Sequence, residues 1–171
     1  MADVFDTAEL AAVADERTTL ETFLDFYRDA VKAKVRGLSE EDARRALVPS
    51  QTTLAGLIKH LRRVESSWFQ HRLDRIPVGD LPALRNWDRE IEDDFQVEAG
   101  ETVEELIAQY DEQCALSRET AARYNLEEVI QHPEVGELSL RWIYVHMIEE
   151  TARHAGHADI LREQIDGSTG D

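Results

Sequence analysis

The chain has 171 residues, one cysteine and a formal net charge of −17, from 36 acidic against 19 basic residues. A chain of this length fits one domain spanning 1–171 and can bury about 70% of its unfolded surface without a covalent staple. A lone Cys114 excludes an intramolecular disulfide. The acidic balance argues against nucleic-acid backbones and anionic membranes, which need clustered Lys and Arg. No apolar run approaches a membrane span. The opening Met-Ala-Asp-Val-Phe-Asp carries no basic leader, so the expected setting is soluble and cytoplasmic.

Four long helical patterns are expected, with no convincing strand. The first runs from about Asp15 to Val35. Leu20, Phe23, Leu24, Tyr27, Val31 and Val35 recur at helical spacing, and Gly37 ends it. A short helix follows, with Ser39 as N-cap and Asp42 at the third position. The second long helix begins after Val48-Pro49, with Ser50 or Thr52 as N-cap, and ends near Leu73. Its apolar stripe is Leu54, Leu57, Ile58, Leu61, Val64 and Trp68.

A long connection, about Asp74 to Gly100, contains Pro77, Gly79 and Pro82 as well as Trp87 and Phe95. Two aromatics are more than a solvated linker needs. The segment reads either as an ordered crossover pinned by those rings or as a lid over a site. The third helix runs from about Thr102 to Tyr124 and opens on the capping-box spacing Thr102–Glu105. Its stripe is Val103, Leu106, Ile107, Tyr110 and Cys114. Asn125 to Glu137 reads as a turn-rich loop, and the fourth helix runs from Ser139 to about Ile165. The expected fold class is all-α, a four-helix bundle with long crossover connections.

Glu150 and His154 stand four residues apart in the fourth helix. That spacing puts them on one helical face, and it is the face that carries Ile143, Met147 and Leu161. An inward carboxylate is costly unless it is paired or bound to a cation. His60 lies between Leu57 and Val64, at the edge of the second helix's stripe. Two inward faces thus offer three ligand-type side chains. Three protein ligands with one position open is the usual arrangement of catalytic zinc. The residues alone leave a second reading, a hydrogen-bonded Glu–His pair with His60 packed nearby.

His146 and His157 lie four before Glu150 and three after His154, within reach of the site or able to shape it from behind. His71 and His132 read as surface residues. Cys114 reads as a small core residue.

At these residues the chain resembles the DinB-like superfamily, in an uncharacterised branch related to mycothiol-dependent maleylpyruvate isomerase. The landmarks are Thr53-Leu-Ala-Gly-Leu-Ile-Lys-His-Leu61 with Glu65 and Trp68; Asp94-Phe95 before Gly100-Glu-Thr102; Leu140-Arg-Trp142; and His146-Met-Ile-Glu-Glu-Thr-Ala-Arg-His-Ala-Gly-His-Ala-Asp159. The resemblance implies a four-helix bundle whose divalent metal is held by His60, Glu150 and His154. Zinc is the first expectation. Ni²⁺ or Fe²⁺ are alternatives, because nitrogen and oxygen ligands discriminate weakly among these ions. The Glu-then-His order is that of the isomerase branch. His157 stands where many members carry Gln.

The resemblance further implies a metal-dependent transferase that activates a low-molecular-weight thiol (mycothiol, bacillithiol or glutathione) for attack on a small electrophile. Glu150 is expected to act in catalysis as the negative ligand that keeps the thiolate nucleophilic. No extension of the isomerase's kind follows the bundle, which argues against isomerisation. A non-catalytic, stress-associated metal-binding bundle and a metal-dependent hydrolase remain as alternatives. The expected partners are a small thiol and an electrophile, with no nucleic acid and no membrane. A homodimer is left open.

Overall fold

The computed structural model describes residues 12–85 and 94–169. Helix α1, Glu16–Val35, starts at Asp15, whose side chain accepts from the Thr18 amide. It gives way to Gly37, which takes the left-handed conformation at φ 79°. A single turn, α2, Glu40–Ala43, is capped by Ser39. Helix α3, Leu54–Glu65, is capped by Thr53 rather than by Ser50 or Thr52; its hydroxyl accepts from Gly56 N at 3.0 Å. The helix continues as a π-helix, Ser66–Leu73.

Two 3₁₀ turns, Val78–Asp80 and Pro82–Leu84, begin the long connection and bury Leu81, Ala83 and Leu84. Trp87, and with it the middle of the proposed lid, lies outside the described residues. Helix α4, Val103–Ala121, opens on the expected capping box, with the Thr102 hydroxyl and the Glu105 carboxylate each satisfying the other's amide. It stops three residues short of Tyr124. Helix α5, Leu140–Asp166, is capped by Ser139 and closes at Gly167, φ 78°.

The expectation of no strand is corrected between α4 and α5. β1, Val129–His132, pairs antiparallel with β2, Gly136–Ser139, in the register Ile130 opposite Leu138. Both of those side chains are buried against the bundle, while Gln131 and Glu137 bond across the exposed face. Four-residue strands around Pro133 carry too short an alternation to stand out from a turn-rich loop.

The fold is all-α apart from this hairpin. Helix α5 packs along α1, α3 along α4 and α5, and the π-helix along α4. The apolar stripes meet in the interior with one exchange. Phe23 is partly exposed at 37%, and α1 buries Arg28 and Lys32 instead.

Two inward carboxylates and a candidate metal centre

Among the polar groups on these inner faces, two carboxylates mark two contrasting places. In the middle of the bundle, Glu65 is fully buried. The Arg28 guanidinium grips it with two parallel bonds, Nε to Oε1 at 2.8 Å and Nη2 to Oε2 at 2.6 Å. Arg28 also reaches Asp25 at 2.7 Å. Burial is the largest single influence and opposes the Arg28 charge, but the Glu65 carboxylate, with smaller contributions from Cys114 and Tyr110, holds the guanidinium well above its ordinary value. Both carboxylate oxygens are taken and the charge is matched, so this pair has no capacity left for a ligand.

The second place is where α3 faces α5. His60 Nε2 lies 3.1 Å and His154 Nε2 lies 3.2 Å from the same oxygen of Glu150, Oε1. The three ligand atoms lie within 4.8 Å of one another. The structure thus brings together the three residues singled out from sequence. As hydrogen bonds, both Nε2–H groups donate to the carboxylate. Those bonds, from His154 and then from His60, hold the Glu150 carboxyl well below its ordinary 4.5 although burial pushes the other way.

The same atoms suit a cation. An ion bound at about 2.0–2.2 Å in tetrahedral geometry keeps its ligand atoms roughly 3.3–3.6 Å apart, a few tenths of an ångström more than the two separations seen. Unlike Glu65, Glu150 accepts no guanidinium hydrogen bond among the described residues; Arg153 Nη1 makes only a looser ion pair, 3.7 Å from its other oxygen.

The supporting groups differ for the two imidazoles. His60 stacks face to face on Phe95, centroids 4.4 Å apart, and its Nδ1 has no hydrogen-bond partner among the described residues. The ring is therefore oriented by packing. Gly56 makes that packing feasible, since a Cβ there would sit 2.5 Å from the Phe95 carbonyl oxygen. His154 Nδ1 instead meets Nδ1 of His157 at 3.4 Å. A proton on His154 Nδ1 directed at His157 leaves Nε2 with its lone pair toward Glu150, the tautomer a metal ligand needs.

Sequence reasoning named Phe95 as an anchor of the connection and as part of a family landmark, not as a partner of His60. Its place five residues before the Gly100-Glu-Thr102 helix start carried no hint of a partner 35 positions away. His132, expected at the surface, is half-buried and stacks on Trp68 at 5.5 Å. His71 is half-buried as well, its Nδ1 2.9 Å from the Ile76 carbonyl. His146 lies one turn from Glu150 and touches two tryptophans, Trp68 at 4.7 Å and Trp142 at 5.2 Å. Cys114 is buried, as expected. No helix of the described residues is long and apolar enough to cross a membrane.

A helical bundle with a His–carboxylate–His cluster between two of its helices is the architecture of the DinB-like proteins. Within that class, the profile of the mycothiol-S-transferase family matches residues 19–167, and the chain belongs to this family. No curated protein matches it.

Proposed function

We propose that the protein is a divalent-metal-dependent S-transferase that joins a low-molecular-weight thiol, mycothiol first, to a small electrophile. The carrying observation is the convergence of His60, Glu150 and His154 in a chain of the mycothiol-S-transferase family. Zinc suits two imidazoles and one carboxylate; Ni²⁺ or Fe²⁺ are the alternatives. A cation bound there supplies Lewis acidity, which lowers the pKa of a thiol brought to it so that the nucleophilic thiolate exists near neutral pH.

The chain's own residues do the rest. His60 and His154 present Nε2 atoms, the first fixed by Phe95 and the second by His157. Glu150 contributes a full negative charge. That charge offsets part of the cation's and keeps the attacking sulfur electron-rich. Phe95 covers one face of the His60 ring.

The test combines metal analysis with turnover. Wild-type protein is expected to retain about one equivalent of metal, and His60→Ala and His154→Ala to lose it. Full retention in both variants would overturn the ligand set. Zinc-loaded protein should accelerate conjugation of mycothiol to monochlorobimane, with glutathione and bacillithiol assayed in parallel. Glu150→Gln, fully metallated, should slow the single-turnover step more than it weakens thiol binding. No conjugation with any thiol would turn the reading to hydrolysis or to a non-catalytic bundle.

A further inference from the structure

From the buried triad, α5 runs outward through His146 to Trp142, each one turn from the last. Side-chain exposure rises along this line, from 15% at Glu150 to 27% at His146, and Trp142 is 39% exposed. Eight residues of helix place Trp142 about 12 Å from Glu150. Trp142 and His146 are stacked nearly parallel, 15° between planes. Trp68, from the π-helix, meets His146 in a T-shaped contact and stacks with His132 of β1. The Arg72 guanidinium lies 4.7 Å over the Trp68 ring. Three elements thus build one aromatic shelf that leads away from the triad.

Holding the hairpin to the bundle accounts for Trp68 and His132. It does not account for Trp142, which leaves a large aromatic surface in water beside a polar site. We propose that this shelf is the subsite on which the sugar carrier of the thiol cosubstrate lies. The inference rests on the transferase reading above.

The chemistry selects the occupant. A pyranose ring presents a face of C–H groups that packs flat on an aromatic ring. Its hydroxyl edge meets polar groups such as Arg72, the ring nitrogens of His146 and water. Mycothiol is a cysteine carried on a glucosamine–inositol unit, so its sulfur and its rings lie at opposite ends. The sulfur end would reach the triad while the rings lie along the shelf. A peptide-carried thiol such as glutathione has no such face to offer.

The test separates the shelf from the metal chemistry. Thiol-free glucosaminyl-inositol is titrated into wild-type, Trp142→Ala and Trp142→Phe proteins by calorimetry, with and without zinc. Trp142 is partly exposed, and thermal melts check that the variants stay folded. Binding to wild type is expected irrespective of zinc. It should weaken at least ten-fold in Trp142→Ala, about 1.4 kcal/mol, and be largely kept in Trp142→Phe, which retains a stacking face.

In turnover, Trp142→Ala should raise KM for mycothiol by a similar factor. It should leave kcat, metal content and KM for N-acetylcysteine unchanged. Equal sugar affinity in wild type and Trp142→Ala would overturn the proposal, as would an equal rise in KM for both thiols. Sugar binding without any conjugation would leave the shelf in place and remove the transferase reading instead.

Discussion

Glu65 and Glu150 are both carboxylates on inward faces of one bundle, and their surroundings give them opposite chemistry. Glu65 meets a guanidinium that fills both its oxygens and cancels its charge. Glu150 meets two imidazoles that share one oxygen and bring no fixed charge. A pair closed on itself is a structural element. A carboxylate held by two imidazoles at one oxygen, rather than by a bidentate guanidinium, can exchange those donors for a cation. What distinguishes the two regions is how each acid is compensated, since burial alone would have made the deeper Glu65 the more suspicious residue.

The largest effect should come from breaking the closed pair. Glu65→Gln leaves Arg28 buried with only Asp25 to compensate it, and is expected to cost about 3–5 kcal/mol, read as a fall in the urea midpoint. Metal content should be unchanged. Glu150→Gln should do the reverse, weakening metal binding while costing about 1 kcal/mol of stability in chelated protein. Equal stability losses in the two variants would erase the contrast.

Next in size is the effect of the cation. The helical circular dichroism should survive chelation, because the apolar stripes hold the bundle. Zinc at a hundred times its Kd should then add about 2.7 kcal/mol to wild type and nothing to His154→Ala. Collapse of the chelated protein would make the ion a structural part of the fold.

Gly56→Ala probes the support of His60. The added Cβ meets the Phe95 carbonyl oxygen at 2.5 Å, so backbone must shift, at about 1–3 kcal/mol. The His60 ring protons should lose the ring-current shift that stacking on Phe95 produces. An unchanged His60 spectrum would show that Phe95 does not orient the ring.

A smaller effect follows from the depressed Glu150 carboxyl. A lowered folded-state pKa contributes stability that is fully present above the unfolded value, here 4.5, and is lost as pH falls toward the folded one. The stability difference between wild type and Glu150→Gln in chelated protein should therefore narrow below pH 4.5. A gap that widens there would mean that the two imidazoles do not stabilise the charged form.

The helices and the triad were legible because both depend on local spacing: stripes at three and four, a capping box, and a Glu–His pair four apart on an apolar face. The partners of His60 and Glu65 were not. Phe95 reaches His60, and Arg28 reaches Glu65, only through the three-dimensional meeting of distant segments. Arg28 also interrupts an otherwise apolar face, which periodicity treats as noise. The hairpin escaped because four-residue strands barely display alternation. The aromatic shelf escaped because Trp68, His132, Trp142 and His146 come from three elements, and two of the four had been read separately as core or surface.

The smallest change concerns the protein's own thiol. Cys114 belongs to the closed region. Burial, with the Glu65 carboxylate adding to it, pushes its thiol up to about 12. At pH 8 only roughly one molecule in ten thousand would carry the thiolate, and a thiol is a poor nucleophile. Native protein should therefore give no reaction with Ellman's reagent over an hour, and one equivalent after unfolding in guanidinium. Cys114→Ala should conjugate mycothiol to monochlorobimane at the wild-type rate, and neither protein should label the bimane without added thiol. Stoichiometric labelling of the native protein, or turnover lost with Cys114, would show that the closed region opens to solvent. The division between a sealed carboxylate and a reactive one would then have to be redrawn.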